Sequence, residues 1–233
     1  MLKTACLTAM LASAFALSSC ATGASVPCAS PRTLVDLRDD APKPPPSVDA
    51  AARERIGRDV FDGAKDFSVN SLVSGAFTRA GAAETLYLVQ RGGPDATDPE
   101  GQQAVIAIYA GDRLAHAIPT RLGNVVETTV DVTGSGTTAL LLRADAYQMG
   151  TATTNLVLVD VAGGTLHERA RFGQARIDAC ADERFGGSVE ADVVRWCPAR
   201  GSWPAFETGR WRAACVDAKA PPADAFAPLP RTP

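Results

Sequence analysis

Short runs of Val, Leu, Ile and Thr, each closed off by Gly, Asp or Pro, fill the chain from residue 70 to residue 216. Such residues suit a pleated, half-buried surface, while Gly, Asp and Pro place turns between the runs. The texture confines this region to strands joined by short connections, so the expected fold class is mostly β. Predicted strands cover 85–91, 104–110, 125–133, 139–146, 155–161, 189–196 and 210–216.

The strand runs recur in a fixed order. Gly81 leads into Leu86-Tyr87-Leu88-Val89, Gly136 into Leu140-Leu141-Leu142, and Gly187 into Asp192-Val193-Val194, at spacings of 55 and 51 residues. A second landmark follows in each unit, a strand, a glycine turn and another strand: Ile108 to Leu114 around Gly111, Val159 to Leu166 around Gly163-Gly164, and Phe206 to Trp211 around Gly209. Two landmarks in one order imply three units of about four antiparallel strands each. A propeller-like array, an irregular meander and a β-trefoil all accommodate that count.

Ahead of the strands, Asp49 is placed to cap a short helix carrying Ala52, Ile56 and Val60 at a spacing of four. The β-repeat domain with this leading helix is therefore expected over 48–216. Residues 20–47 hold Pro27, Pro31, Pro42 and Pro44-Pro45-Pro46 and are expected to form an extended spacer. The tail, 217–233, carries Pro221, Pro222, Pro228, Pro230 and Pro233 among alanines and is expected to be disordered.

The first residues address the chain. Met1-Leu2-Lys3 supplies a positive start, and residues 5–17 follow without a charge, the layout of a signal peptide. The apolar run is shorter than the ~20 residues that span a bilayer. It ends in Leu17-Ser18-Ser19-Cys20, which resembles the lipobox of bacterial lipoproteins. That resemblance implies removal of residues 1–19, acyl chains of the palmitate type on Cys20, and a membrane as partner through that lipid. Ala21, rather than an aspartate, follows the cysteine, which by the same resemblance implies the outer membrane, facing the periplasm. Exposure on the cell surface is an alternative address. Cleavage after Ala21-Thr22-Gly23, which would release a soluble secreted protein without Cys20, is another.

Within the β region, Val130-Asp131-Val132-Thr133-Gly134-Ser135-Gly136 followed by Thr137 to Leu142 resembles the FG-GAP, or integrin-type, propeller repeat, and the stretch Ser74 to Gly81 is a weaker copy. The family's repeat carries alternating Asp or Asn ligands for calcium before the glycine. The matching positions are Asp131, Thr133 and Ser135 in the middle unit; Ala76, Thr78 and Ala80 in the first; Asp182, Arg184 and Gly186 in the third. Calcium takes about six to eight oxygen ligands, so the resemblance implies a calcium-free relative, with no metal and no cofactor.

Loss of Lys3 with the leader takes the formal charge from −3 to −4, which argues against nucleic acid as a partner. Cys28, Cys180, Cys197 and Cys215 remain, an even set suited to two disulfides in an oxidising compartment, with three connectivities open. Ser135 lies in Gly134-Ser135-Gly136, but a nucleophile elbow carries its glycines two positions away on each side, and Thr133 and Thr137 stand there. His116 and His167 follow the corresponding Leu114 and Leu166, which places them on comparable strands. Two readings of function follow. The first is a non-catalytic envelope module that contacts a protein or glycan, with Trp203 and Trp211 as a candidate binding surface, although large tryptophan rings read more readily as core. The second is a small periplasmic hydrolase acting on glycans through paired carboxylates near Cys180, namely Asp178, Asp182, Glu183 and Glu190.

Overall fold

A computed structural model describes residues 30–38, 43–92, 103–180, 187–198, 202–215 and 227–228. The chain is mostly β, with twelve strands and one helix among the described residues. The strands are β1 (Arg32–Asp36), β2 (Phe67–Gly75), β3 (Glu84–Arg91), β4 (Ala104–Ala110), β5 (Arg113–Thr120), β6 (Val125–Val130), β7 (Ala139–Gln148), β8 (Thr151–Ala162), β9 (Thr165–Asp178), β10 (Ser188–Trp196), β11 (Phe206–Ala214) and β12 (Ala227–Pro228). The helix α1 covers Ala50–Val60. Asp49 caps it as the sequence suggests, accepting the Ala52 N–H at 2.7 Å.

Three four-stranded antiparallel units emerge from the pairing. The first is the isolated sheet β2-β3-β4-β5, and the second is the meander β6-β7-β8-β9. In the third, β10, β11 and β12 follow one another, and β1 completes the set by pairing with β10. This order matches the propeller-like or irregular meander rather than the trefoil. β9 runs to 14 residues, long enough for its end to pair with β10, with Asp178 opposite Val189. The second and third units thereby share one eight-stranded sheet. β1 also touches β6, so that sheet is nearly closed into a barrel.

Side-chain alternation explains the stacking of the units. On β7 and β8, Leu140 lies opposite Val159 and Leu142 opposite Val157, and these four pack against Leu86, Leu88, Ile106 and Ile108 of the first sheet. The intervening Leu141, Leu156 and Leu158 point the other way, into a core shared with Phe172, Val189, Ala191 and Leu37. A strand buried on both faces reads as a continuous apolar run, which is why Leu140-Leu141-Leu142 lacks a polar member. The far face of the first sheet, Tyr87, Val89, Ala107 and Tyr109, is covered by Ala52 and Ile56 of α1.

Four expectations need correction. Residues 32–36, within the expected spacer, form β1, and Leu34, Val35 and Leu37 are buried because β10 offers an edge to pair with. Gly209 makes no turn: it sits mid-strand opposite Val193, so β11 runs unbroken from Phe206. Ala227–Pro228, in the expected disordered tail, pairs with β11. Strands β2, β5 and the outer half of β9 escape the hydrophobic pattern because Ser, Asn, His and Arg are interspersed among their apolar residues.

Candidate functional site

The inward face of β6 to β9 changes character along its length. Apolar residues fill the middle, whereas at one end the same face carries Val125, Glu127, Arg143, Asp145, Ala152, Thr154, Arg176 and Asp178. These residues line a cavity of about 360 Å³, and Lys43 reaches it from the chain that precedes Pro44-Pro45-Pro46. Alternation brings them together. Asp145 lies opposite Thr154, and Thr154 opposite Arg176 on the next strand; Ala152 lies opposite Asp178. An irregularity between Val126 and Thr128 leaves Glu127 unpaired in the ladder, a bulge that aims its side chain into the same space.

The charged groups hold one another. Arg143 donates through Nε to Asp145 Oδ2 at 2.8 Å, through Nη2 to Thr154 Oγ1 at 3.3 Å, and through Nη1 to Glu127 Oε2 at 3.5 Å. Thr154 in turn donates its hydroxyl to Asp145 Oδ1 at 2.7 Å. Lys43 Nζ donates to the Glu127 carbonyl at 2.7 Å and to Oε1 at 2.5 Å. On the other wall, Arg176 binds Asp178 Oδ2 and the Leu37 carbonyl, both at 2.9 Å, tying the end of β1 to the cavity. Asp178 Oδ1 accepts the Cys180 N–H at 3.1 Å.

Burial makes this lattice consequential. The Glu127 side chain is only 8% exposed and Arg143 17%. Ions at such depth need partners, because desolvation of an unpaired charge costs several kcal/mol. Three carboxylates and three cations line the cavity among the described residues, so the charges balance. Gly123 lets the entry loop approach closely: a Cβ there would lie 2.6 Å from the Arg143 carbonyl, which accepts the Asn124 N–H at 2.9 Å.

The residues singled out in the sequence fall elsewhere or only partly here. Trp211 is 5% exposed and belongs to the core, and Trp203 packs against that core with the Arg169 guanidinium 4.9 Å above its ring. Trp211 is thus a core residue and Trp203 a partly buried one, as expected of large apolar rings that gain from burial beside Phe172, Phe206 and Ala191. Asp178 lines the cavity, but Glu190 points away. It lies opposite Ile177 and beside Arg210 and Arg212, on the other face of the sheet from Asp178. Those two carboxylates do not converge. Asp182 and Glu183 lie outside the described residues, as do Leu17, Ser18, Ser19, Cys20 and Cys28.

Cys180 and Cys215 form a disulfide with Cα atoms 5.5 Å apart, and Cys197 is also disulfide-bonded. His116 on β5 and His167 on β9 sit at matching places in their units. The His116 ring abuts the Gly163-Gly164 turn of the second unit, where a Cβ on Gly164 would lie 2.8 Å from Nδ1.

In the loop that resembles a calcium site, Asp131 accepts the Ser135 N–H at 3.2 Å and the Gly136 N–H at 2.8 Å. Its oxygens thus hold the turn. The corresponding loop of the first unit is gathered by buried Glu84, which accepts the N–H groups of Phe77 and Thr78 at 2.7 and 2.9 Å and the Thr78 hydroxyl. Thr138 joins the two loops, its N–H donating to the Ala76 carbonyl at 2.8 Å.

Sequence reasoning missed the cavity residues other than Asp178. A signal existed in Arg143-Ala144-Asp145 and Arg176-Ile177-Asp178, because an Arg and an Asp two apart on a strand share one face. Comparison of the chain with known protein families, with characterised proteins and with solved structures finds no match.

Proposed function

We propose that this chain is a lipid-anchored envelope protein whose β domain is a non-catalytic recognition module. The observation that carries the module reading is the cavity lattice, in which each carboxylate accepts from a cation and Arg143 alone joins Glu127, Asp145 and Thr154. Groups locked in this way present a fixed pattern to a ligand, as binding sites require. The address rests on Leu17-Ser18-Ser19-Cys20 behind its charged and apolar leader. With Ala21 after the cysteine, the protein resides at the outer membrane and faces the periplasm.

The three units are degenerate FG-GAP-like repeats in this reading. Asp131 and Glu84 support it, since each uses a carboxylate to organise a loop at corresponding places in two units. In this reading the lipid on Cys20 tethers a module whose first buried residue among those described is Leu34, on β1.

Cross-linking of the native protein in its own cells tests the module reading, with mass spectrometry of what co-purifies. A reproducible envelope protein or glycan attached through the rim of the β6–β9 cavity is expected. Attachments scattered over the whole surface, unchanged when Arg143 is replaced by Gln, would remove the basis for it.

A further inference from the structure

We infer that the cavity between β6 and β9 binds a neutral carbohydrate, through the carboxylate oxygens of Glu127, Asp145 and Asp178 and the hydroxyl of Thr154. This deepens the recognition-module reading and rests on it.

The class of ligand follows from what the lattice leaves available. All three guanidinium nitrogens of Arg143 are engaged, with Asp145, Glu127 and Thr154. An anionic ligand seeking a bidentate arginine would have to dismantle those bonds. A cationic ligand meets carboxylates that Lys43, Arg143 and Arg176 already neutralise. Among the described residues the charges of the walls balance, which disfavours either sign of ligand.

Hydrogen-bonding capacity points the same way. Two carboxylate oxygens together offer about four lone-pair positions. Asp178 uses one on Arg176 and one on the Cys180 N–H, and Glu127 uses one on Lys43 and one on Arg143. Among the described residues each retains acceptor capacity fixed in direction by the bonds already made. Lys43 has three donors, of which Glu127 takes two. The walls therefore present oriented acceptors with a donor beside them, the complement of a ligand whose groups both donate and accept. Sugar hydroxyls do both and carry no charge.

The cavity also has an apolar side. Val125 and Ala152 line it together with the stems of Arg143 and Arg176, a surface for the C–H face of a pyranose ring. At about 360 Å³ it is near the lower end of the ~300–1,000 Å³ typical of small-molecule pockets. It suits the end of a glycan chain, one or two rings, rather than a long segment.

The test is titration of the full lipidated chain in detergent, followed by saturation-transfer NMR and calorimetry. Probes are neutral one- to three-residue saccharides of hexose, N-acetylhexosamine and deoxyhexose type, with galacturonic acid and glucosamine as charged counterparts. Ala152 is exposed, so Ala152→Trp should fold while blocking the mouth; Thr154→Val removes the hydroxyl at nearly constant shape. The expected result is binding of a neutral saccharide that weakens at least tenfold in Ala152→Trp and severalfold in Thr154→Val, with unchanged melting of Ala152→Trp. Binding indifferent to both substitutions, tighter binding of a charged counterpart, or no saccharide binding would overturn the inference. If no saccharide binds but a protein partner still cross-links at the cavity rim, the carbohydrate inference falls and the recognition module stands. If cross-links also lack any focus there, both fall.

Discussion

Two residues show how closely the units depend on one another. Gly163 and Gly164 both adopt positive φ, 59° and 76°, but only Gly164 has the His116 ring where a Cβ would go. Replacing either by Ala strains the backbone, at a cost of roughly 1 kcal/mol. Gly164→Ala should cost about 1 kcal/mol more than Gly163→Ala in urea denaturation, and the excess should vanish in a His116→Ala background. Equal costs in the original background would mean that this contact between units does not form in solution. Tyr109 provides a second residue-scale test. Burial, and then the Asp59 carboxylate that accepts its hydroxyl at 3.3 Å, push its ionisation well above the ordinary range. The unfolded chain releases that proton near pH 10 while the folded chain keeps it, so stability falls as pH rises past that point. Tyr109→Phe should flatten the alkaline loss seen in wild-type denaturation curves; an unchanged alkaline slope would contradict this account of its burial.

Among the elements, β1 carries the sharpest consequence. A strand from the proline-rich stretch supplies the fourth member of the third unit, and Leu37 at its end is 1% exposed. Leu37→Ala should therefore lower unfolding free energy by about 3 kcal/mol, whereas a mere spacer would tolerate it without change. The Cys180–Cys215 disulfide spans 35 residues across the region of β10 and β11. Reducing it should cost about 4 kcal/mol by loop entropy. Non-reducing peptide mapping should recover that pair and, with Cys20 lipidated as proposed, Cys28 linked to Cys197; Cys28 joined to Cys180 or Cys215 would contradict the structure.

Legibility followed element type. Strands buried on both faces, such as β3, β4, β7 and β8, announce themselves as apolar runs, and α1 through its cap and spacing of four. β9 alternates Arg and Glu with Ala and Phe and carries a glycine at 173, so its length was hidden. β1 was masked by neighbouring prolines, and Gly209 looked like a turn although it only thins a strand. The cavity escaped because it depends on the register that brings Arg143, Thr154 and Arg176 side by side, and spacing along one strand does not encode pairing with the next.

The whole molecule is a three-unit β domain with a cavity, at one end of its larger sheet, whose described walls carry matched charges, and the proposed lipid on Cys20 would place it at a membrane. The proposed address would give the cavity its setting, because a module held at a membrane by lipid meets ligands of that compartment at high local concentration. The most direct test is the intact mass of the protein purified from its own membranes, with sequencing of its N-terminal peptide. The expected result is a chain beginning at Cys20 that carries a diacylglyceryl group on the thiol, in the membrane fraction, with Cys28, Cys180, Cys197 and Cys215 oxidised. An N-terminus beyond Gly23, or an unmodified Cys20 in a soluble fraction, would contradict it.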